Sequence, residues 1–232
     1  MTTIVARRRR AFAGLALAAA LTAGGCSKSS YFPLDSGYSW THRISFEPAV
    51  PNARTPPPFE GVIRNLAAQP FDGVETVTQI ASVGNNHSET ILREDSTGVR
   101  VLASKRADQE EPERKEGLRY LLRYPVKVGT EWADEGEPRF FEQSYEVPGT
   151  SRIAAIETVT VPAGTYRDAA KVVFHGSDTV ELPGGGLREI TIDATGWYAP
   201  GVGLVRYEQV DTADDEALSG RFRIELVRFN RL

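Results

Sequence analysis

The chain contains a single cysteine, Cys26, and the residues before it suit a modification of its thiol. Four arginines at positions 7–10 are followed by a short apolar run, residues 11–22, and then by three small residues, 23–25. A basic segment, a short apolar segment and small residues before a cleavage site are typical of a secretory signal peptide. The apolar run is too short for a transmembrane helix, which needs about 20 residues. We therefore expect residues 1–25 to be removed on export.

Cleavage directly before the only thiol resembles the processing of bacterial lipoproteins at their lipobox. The resemblance implies that Cys26 is acylated, with palmitate among its acyl chains, and that residues 26–30 form a short lipidated tether. More than one acyl chain anchors a protein stably, whereas a single chain holds it only marginally. In enterobacterial lipoproteins an aspartate after the cysteine favours the inner membrane, so the resemblance together with Ser27 implies the outer membrane, with the inner membrane as the alternative. An ordinary cleaved signal without lipid stays open, as does the choice between the general and twin-arginine export routes.

The other residue types that could do chemistry are scattered. His42, His87 and His175 share no metal-ligand spacing, and the chain has no nucleophile elbow and no phosphate-binding glycine loop with a lysine. Asp211 and the acids at positions 214–216 lack the order of an EF-hand, so we interpret them as an acidic turn between strands. We expect no catalytic residue, no metal and no cofactor. A hydrolase of envelope glycans or lipids stays open as a third hypothesis, because paired carboxylates can meet in space alone.

Without residues 1–25, which hold four arginines and no acid, the chain keeps 23 basic and 31 acidic residues. An acidic surface argues against nucleic acid as a partner. The remaining length suits one domain, residues 31–232, with a single core. With one cysteine, no internal disulfide can support that domain.

Apolar and polar residues alternate along much of this domain, as expected for half-buried antiparallel strands. The alternating runs and the further strand-like segments are 40–47, 60–67, 73–83, 87–94, 98–104, 118–124, 138–147, 151–161, 169–175, 189–195, 203–210 and 222–229. A change of phase between Leu226 and Val227 predicts a β-bulge. Five prolines make residues 48–59 a loop, and the charged residues 105–117 are expected at a hairpin tip. We predict an all-β fold of about ten to twelve mostly antiparallel strands in a sandwich, half-barrel or β-roll.

Residues 32–40 and 124–132 carry the same pattern of aromatic, proline, aliphatic, glycine and tryptophan. Proline restricts the approach and glycine permits a tight turn, so each copy predicts a corner that leads into a strand. Two such corners indicate two similar half-sheets, residues 31–120 and 121–232, either by duplication or by convergence.

The corner at residues 32–40, the Val-Pro-Ala-Gly-Thr-aromatic run at 161–166 and the Trp-Tyr-Ala-Pro-Gly-x-Gly run at 197–203 are similar to a family of bacterial envelope domains. That family is largely uncharacterised, rich in β-structure and often lipidated. The resemblance implies an envelope location and a β-architecture, and brings no known activity. Some members are distantly similar to half-barrel lipoprotein carriers of the periplasm.

Trp40, Trp132 and Trp197 each follow a turn, and two interpretations of them stay open. They fill the ends of the core, or together with Tyr198 they line a ligand groove. Our first hypothesis is a non-catalytic binding or scaffold module that a lipid on Cys26 holds at the outer membrane, with an envelope protein or a small apolar ligand as partner. The second is a carrier of apolar or lipidated cargo in a concave sheet, which an apolar concavity of several hundred Å³ would favour.

Overall fold

The computed structural model describes residues 30–51, 53–141, 143–183 and 185–231. The predicted signal peptide, Cys26 and the tether up to residue 29 lie outside the described residues. Strands dominate the described chain, and its only helical segment is one 3₁₀ turn, Glu216–Leu218. None of the described residues forms a helix whose length and hydropathy would let it cross a bilayer.

Thirteen strands make up the fold. In chain order they are β1 (Ser39–Pro48), β2 (Phe59–Asn65), β3 (Gln69–Phe71), β4 (Val74–Val83), β5 (Asn86–Asp95), β6 (Gly98–Lys105), β7 (Glu113–Arg123), β8 (Glu131–Gly136), β9 (Val147–Val161), β10 (Gly164–Glu181), β11 (Leu187–Ala199), β12 (Gly203–Ala213) and β13 (Gly220–Asn230). The predicted fold class, all-β and antiparallel, is confirmed. The count exceeds ten to twelve because two short strands were missed: β3, whose three residues are too few to show alternation, and β8.

Three local predictions can be compared with these bounds. The proline-rich loop is confirmed, because β1 ends at Pro48 and β2 begins at Phe59. The charged hairpin tip is shorter than predicted, since β7 already begins at Glu113. The predicted strand at 138–147 is wrong. There the N–H of Arg139 donates to the buried carboxylate of Asp211 at 2.5 Å, so the backbone is held by a side chain and not by a neighbouring strand.

All the pairings are antiparallel, and the strands lie in the order β7-β6-β5-β4-β2-β1-β13-β12-β11-β10-β9-β8, with β3 beside β4. The first and last strands pair in the middle of this sheet, while β7 and β8, which follow each other in sequence, form its two edges. One core cluster joins Leu92 and Leu122, near one edge, to Ile153 and Val172, near the other. The sheet therefore folds over so that its ends pack together, and the fold stays open along one line. We call the gap between β7 and β8 the seam.

Both predicted corners make the same pair of backbone hydrogen bonds at their glycine. In the first, the N–H of Gly37 donates to the carbonyl of Asn65 at 3.2 Å, and the N–H of Asn65 donates back to the residue after the glycine at 3.0 Å. In the second, the N–H of Gly129 donates to the carbonyl of Ile153, and the N–H of Ile153 donates to the carbonyl of Thr130, each at 2.9 Å. Both glycines have positive φ, 81° and 92°, which other residues adopt at a cost. Each corner thus sends the chain into a strand, β1 or β8, that pairs with the next long strand.

The predicted β-bulge is confirmed in β13. Thr41 pairs with Arg228 and His42 with Leu226, which leaves Val227 as the extra residue. An extra residue reverses the alternation of faces. Leu226 and Phe229, which an unbroken strand would turn to opposite faces, consequently both pack in the cluster that contains Trp40.

Candidate functional site

The space inside the folded sheet contains two adjoining cavities, of which the first lies at the seam. Its volume is about 240 Å³, and most of its lining is apolar; we call it the polar cavity because several charged side chains also line it. Arg119 on β7 and Asp134 on β8 line it from the two edges, and Tyr207 and Ile224 line it from the middle of the sheet. The remaining lining residues used below are Leu121, Glu135, Glu137, Arg139, Ser151, Gly196, Tyr198 and Leu204.

Glycines near this cavity leave room for two aromatic rings. The ring of Phe174 occupies the space that side chains at Gly149 and Gly176 would need, because a Cβ at either glycine would lie 2.5 or 2.7 Å from a ring atom. At Gly196, which also lines the cavity, a Cβ would meet the ring of Tyr198 at 3.1 Å. The glycines therefore let one aromatic ring fill one end of the interior while the neighbouring space stays empty.

Asp134 is the most unusual group in the polar cavity. Burial raises the pKa of its carboxyl, although hydrogen bonds from Ser151 and from the N–H of Glu135 oppose the rise. The Ser151 hydroxyl donates to Asp134 Oδ2 at 2.6 Å, and the nearby charge of Arg119 also favours the carboxylate. The hydrogen bonds and the charge of Arg119 offset only part of the cost of burying this carboxylate, so the carboxyl can still bind a hydrogen-bond donor or a cation.

A second polar network fixes the chain that follows β8. Gln209 donates from Nε2 to Asp211 Oδ1 at 2.7 Å and to the carbonyl of Glu137 at 2.9 Å, and it accepts from the Tyr207 hydroxyl at 2.6 Å. Burial raises the pKa of Asp211, against the effect of the Arg139 N–H, and burial raises the pKa of Tyr207 to about 12. Asp211 was expected in an acidic turn, but it lies within β12. It is buried because alternate residues of that strand, Gln209 and Asp211 among them, face the interior.

Two ion pairs cover the seam on the side of β7. Glu146, in the segment between β8 and β9, accepts from Lys115 at 2.8 Å and lies 3.7 Å from Arg119. β7 and β8 do not pair with each other. The side chains of these ion pairs and the polar cavity lie at the gap between the two strands.

The second cavity is lined mainly by apolar side chains and has a volume of about 180 Å³. Phe32, Trp40 and Ile63 contribute to this apolar cavity, and His42 and Gln79 are polar residues at its wall. Leu121, Tyr198 and Leu204 line both cavities. The interior therefore offers an apolar compartment and a polar compartment on the two sides of one shared wall.

The predicted ligand-groove residues divide into two groups. Trp40 and Tyr198 line the apolar cavity, where Trp40 Nε1 donates to the carbonyl of Val202 at 2.6 Å. Trp132 is buried in the core cluster near the seam, and neither cavity includes it. Trp197 donates to Glu157 at 2.7 Å and lies between the cations of Lys171 and Arg206, away from both cavities.

The histidines lie far from one another in the fold. His42 is buried, and its Nε2 lies 3.1 Å from the carbonyl of Leu204, as its place on a core-facing strand indicated. His87 and His175 are exposed, and they bond to Ser82 and Asp193 respectively. Within the described ranges, no three His, Cys, Asp or Glu residues are grouped as metal ligands would be.

The sequence alone did not point to Asp134, Ser151, Gln209 or Arg139. Asp134 and Ser151 are 17 positions apart and come together through the pairing of β8 with β9, and Arg139 lies in a segment that resembled a strand. A polar residue at an inward-facing position of an alternating strand was the one available signal. In β12, Gln209 and Asp211 occupy such positions.

Comparisons with known proteins give a partial match. The DUF3108-like family model matches residues 145–220, which contain the runs at 161–166 and 197–203. No curated protein matches the chain.

Two crystal structures give matches that cover most of this chain. One is a protein inferred to be exported, with a YmcC-like fold, from Bacteroides fragilis, with 15% identity and a TM-score of 0.40 over 88% of this chain and 100% of that chain. The other is a protein inferred to be a lipoprotein from Parabacteroides distasonis, with 16% identity and a TM-score of 0.42 over 88% of this chain and 99% of that chain. Both TM-scores are below 0.5, so neither likeness supports an argument about this protein.

Proposed function

We propose that this protein is a non-catalytic envelope lipoprotein that binds a small amphipathic molecule inside its folded sheet. The observation that carries this proposal is the pair of adjoining cavities, one polar and one apolar, which share Leu121, Tyr198 and Leu204. A ligand with an apolar body and a polar end would bury the body beside Phe32 and Trp40 and direct the end toward Asp134 and the arginines.

The sizes of the cavities limit the ligand. Sites for small molecules enclose about 300–1,000 Å³. The cavities measure about 240 and 180 Å³, so that only both together reach the lower part of that range. A small molecule fits this space, whereas cargo with several acyl chains does not. The carrier hypothesis is therefore retained for a small ligand and not for lipidated proteins.

The lipid anchor on Cys26, at the outer membrane or alternatively at the inner membrane, would put the ligand site close to lipid. Phe32 lines the apolar cavity and follows Cys26 by six residues, which span at most about 20 Å when fully extended. The N–H of Gly201 donates to the carbonyl of Ser30 at 2.7 Å, which fixes the start of the domain to the β11–β12 turn. We propose that the ligand exchanges between this cavity and the adjacent lipid surface.

Binding accounts for the polar cavity better than hydrolysis does. Asp134, Glu135 and Glu137 all line it, and a carboxylate pair is what a hydrolase would need. However, the close side-chain partner of Asp134 is the Ser151 hydroxyl, and no histidine stands among the described lining residues to activate that serine.

The proposal is tested with the mature protein in lipid nanodiscs, titrated by calorimetry with n-octylamine and with octanoate, below the concentrations at which they form micelles. We expect at least one of the two to bind and to raise the melting temperature. The variant Ile63→Phe extends a wall of the apolar cavity and should abolish binding. Its matched control, Val62→Phe, changes the neighbouring residue on the exposed face of the same strand and should leave binding intact.

Two results would overturn the proposal. The first is a failure of both probes to bind or to stabilise the protein, which would favour a scaffold function. The second is release of a chemically altered probe, because turnover would revive the hydrolase.

A further inference from the structure

The hydroxyl of Tyr198 lies in the wall that the two cavities share, since Tyr198 lines both of them. A Cβ at Gly196, a residue of the polar cavity, would lie 3.6 Å from the Tyr198 hydroxyl oxygen, so this oxygen is on the polar side of the wall. It makes no hydrogen bond with the described residues and keeps accessible surface, so a molecule in the cavity can reach it. Burial raises the pKa of Tyr198, and the charges of Tyr207 and Asp134 add to the rise, so the hydroxyl stays protonated at neutral pH.

The carboxylate of Asp134 keeps free acceptor positions in the same cavity. Its side chain lines the polar cavity and is only half-buried. Oδ1 accepts from the N–H of Glu135 at 2.9 Å, and Oδ2 accepts from the hydroxyl of Ser151 at 2.6 Å. The two oxygens of a carboxylate have about four lone-pair positions, so about two remain for a ligand. Asp134 and Tyr198 therefore both offer unused acceptors to a molecule in the polar cavity.

The charges that line the polar cavity favour a cationic ligand group. Its lining residues include three carboxylates and two guanidinium groups, those of Asp134, Glu135, Glu137, Arg119 and Arg139. Arg139 pairs with Glu137 at 3.3 Å, and Arg119 lies 3.7 Å from Glu146, so each arginine has an acid other than Asp134 beside it. An ammonium group would offset the excess negative charge, whereas a carboxylate would increase it.

We propose that the ligand is an apolar molecule with a primary amine, whose ammonium group donates hydrogen bonds to the Asp134 carboxylate and to the Tyr198 hydroxyl oxygen. This inference rests on the proposed function and specifies the polar end of its ligand. An ammonium group has three donors and no acceptor, which suits two free acceptors in a negatively charged wall. The apolar body would follow Leu121 and Leu204, which line both cavities, toward the apolar cavity.

The test compares three probes with unbranched chains of equal carbon number, n-octylamine, 1-octanol and octanoate. The mature protein in nanodiscs is titrated with each by calorimetry, and titrations of empty nanodiscs are subtracted. We expect n-octylamine to bind about tenfold more tightly than 1-octanol, because a charge-assisted hydrogen bond replaces a neutral one. Octanoate should bind more weakly than either.

Two variants connect this preference to the residues. Asp134→Asn keeps the shape of the side chain and removes its charge, so the affinity for n-octylamine should fall about tenfold or more, while that for 1-octanol changes little. Tyr198→Phe removes only the hydroxyl and should weaken the binding of n-octylamine about fivefold. The matched controls are Glu131→Gln, on the exposed side of β8, and Tyr166→Phe, whose side chain packs outside both cavities. Both should bind as the wild type does, and circular dichroism checks that all four variants fold.

The comparison of the three probes on the wild-type protein needs no variant. If n-octylamine or octanoate binds but the amine is not preferred, or keeps its affinity in Asp134→Asn or Tyr198→Phe, the amine inference is overturned and the proposed function stands. If neither n-octylamine nor octanoate binds, the proposed function fails as well.

Discussion

Trp40 and Trp132 form a natural pair for measuring what a buried indole N–H contributes. Each is the second residue of a strand that follows an equivalent corner, and each is 4% exposed. They differ in one respect. Trp40 Nε1 donates to the carbonyl of Val202 at 2.6 Å, whereas Trp132 Nε1 is buried without a partner among the described residues. We therefore expect Trp40→Phe to destabilise the protein more than Trp132→Phe.

The difference can be estimated from the hydrogen bond alone, because both changes remove the same apolar area. Trp40→Phe leaves a buried carbonyl unpaired, which costs about 1–3 kcal/mol. Trp132→Phe removes an N–H that is already unpaired and avoids that cost. The free energy of unfolding should accordingly fall by about 2 kcal/mol more in Trp40→Phe than in Trp132→Phe.

Guanidinium denaturation followed by far-ultraviolet circular dichroism measures both variants against the wild type. The two m-values should agree, so that midpoints can be compared as stabilities. An equal loss in the two variants, or a larger loss in Trp132→Phe, would refute the reasoning that the Val202 bond distinguishes the corners.

Two further predictions concern the anchor and the polar cavity. Cys26→Ala should abolish the incorporation of labelled palmitate, because the chain has no other thiol, while the control Ser27→Ala should still be labelled. Asp134→Asn should raise the stability at pH 7, because burial raises the pKa of this carboxyl and its ionisation therefore opposes folding. The gain should shrink as the pH falls through the folded pKa and vanish below the unfolded value of about 4, where the carboxyl is protonated in both states. Denaturation at a series of pH values measures it.

Each prediction has a clear contrary result. Continued labelling of Cys26→Ala would mean that the lipid is attached elsewhere and that the location part of the proposal is wrong. A lower stability of Asp134→Asn at pH 7 would show that Arg119 and Ser151 compensate the carboxylate fully, so that it has no capacity left for a ligand. Glu131→Gln, on the exposed side of the same strand, is the matched control and should change stability little.

The sequence predicted well wherever one face of a strand was buried over several residues. The alternation of apolar and polar residues in β1 and β13 predicted both strands and the bulge at Val227, because a bulge changes the phase of that alternation in the sequence. It failed at residues 138–147, where Arg139 makes a bond to Asp211, 72 positions away. No local pattern contains a contact of that separation.

The site was harder to predict than the fold for the same reason. Trp40 and Tyr198 were among the predicted groove residues, and both line the apolar cavity. Trp197, which like Trp40 follows a turn, was also among them, but Glu157 and two cations hold it elsewhere. Asp134 was not a candidate, since only the folding of the sheet brings β8 to the cavity and makes that carboxyl unusual among 31 acidic residues.

The second corner explains why the cavity lies at the seam. In an antiparallel sheet built from successive neighbours, β8 would continue beside β7. Instead Gly129 turns the backbone so that its N–H bonds to Ile153 on β9, and β8 pairs with β9 at the far edge. The pairing of β1 with β13 joins the two halves into one sheet, whose edges β7 and β8 face each other without pairing. Polar side chains such as Asp134 and Arg119 line the cavity at that gap, and this is where, in our proposal, the ligand enters.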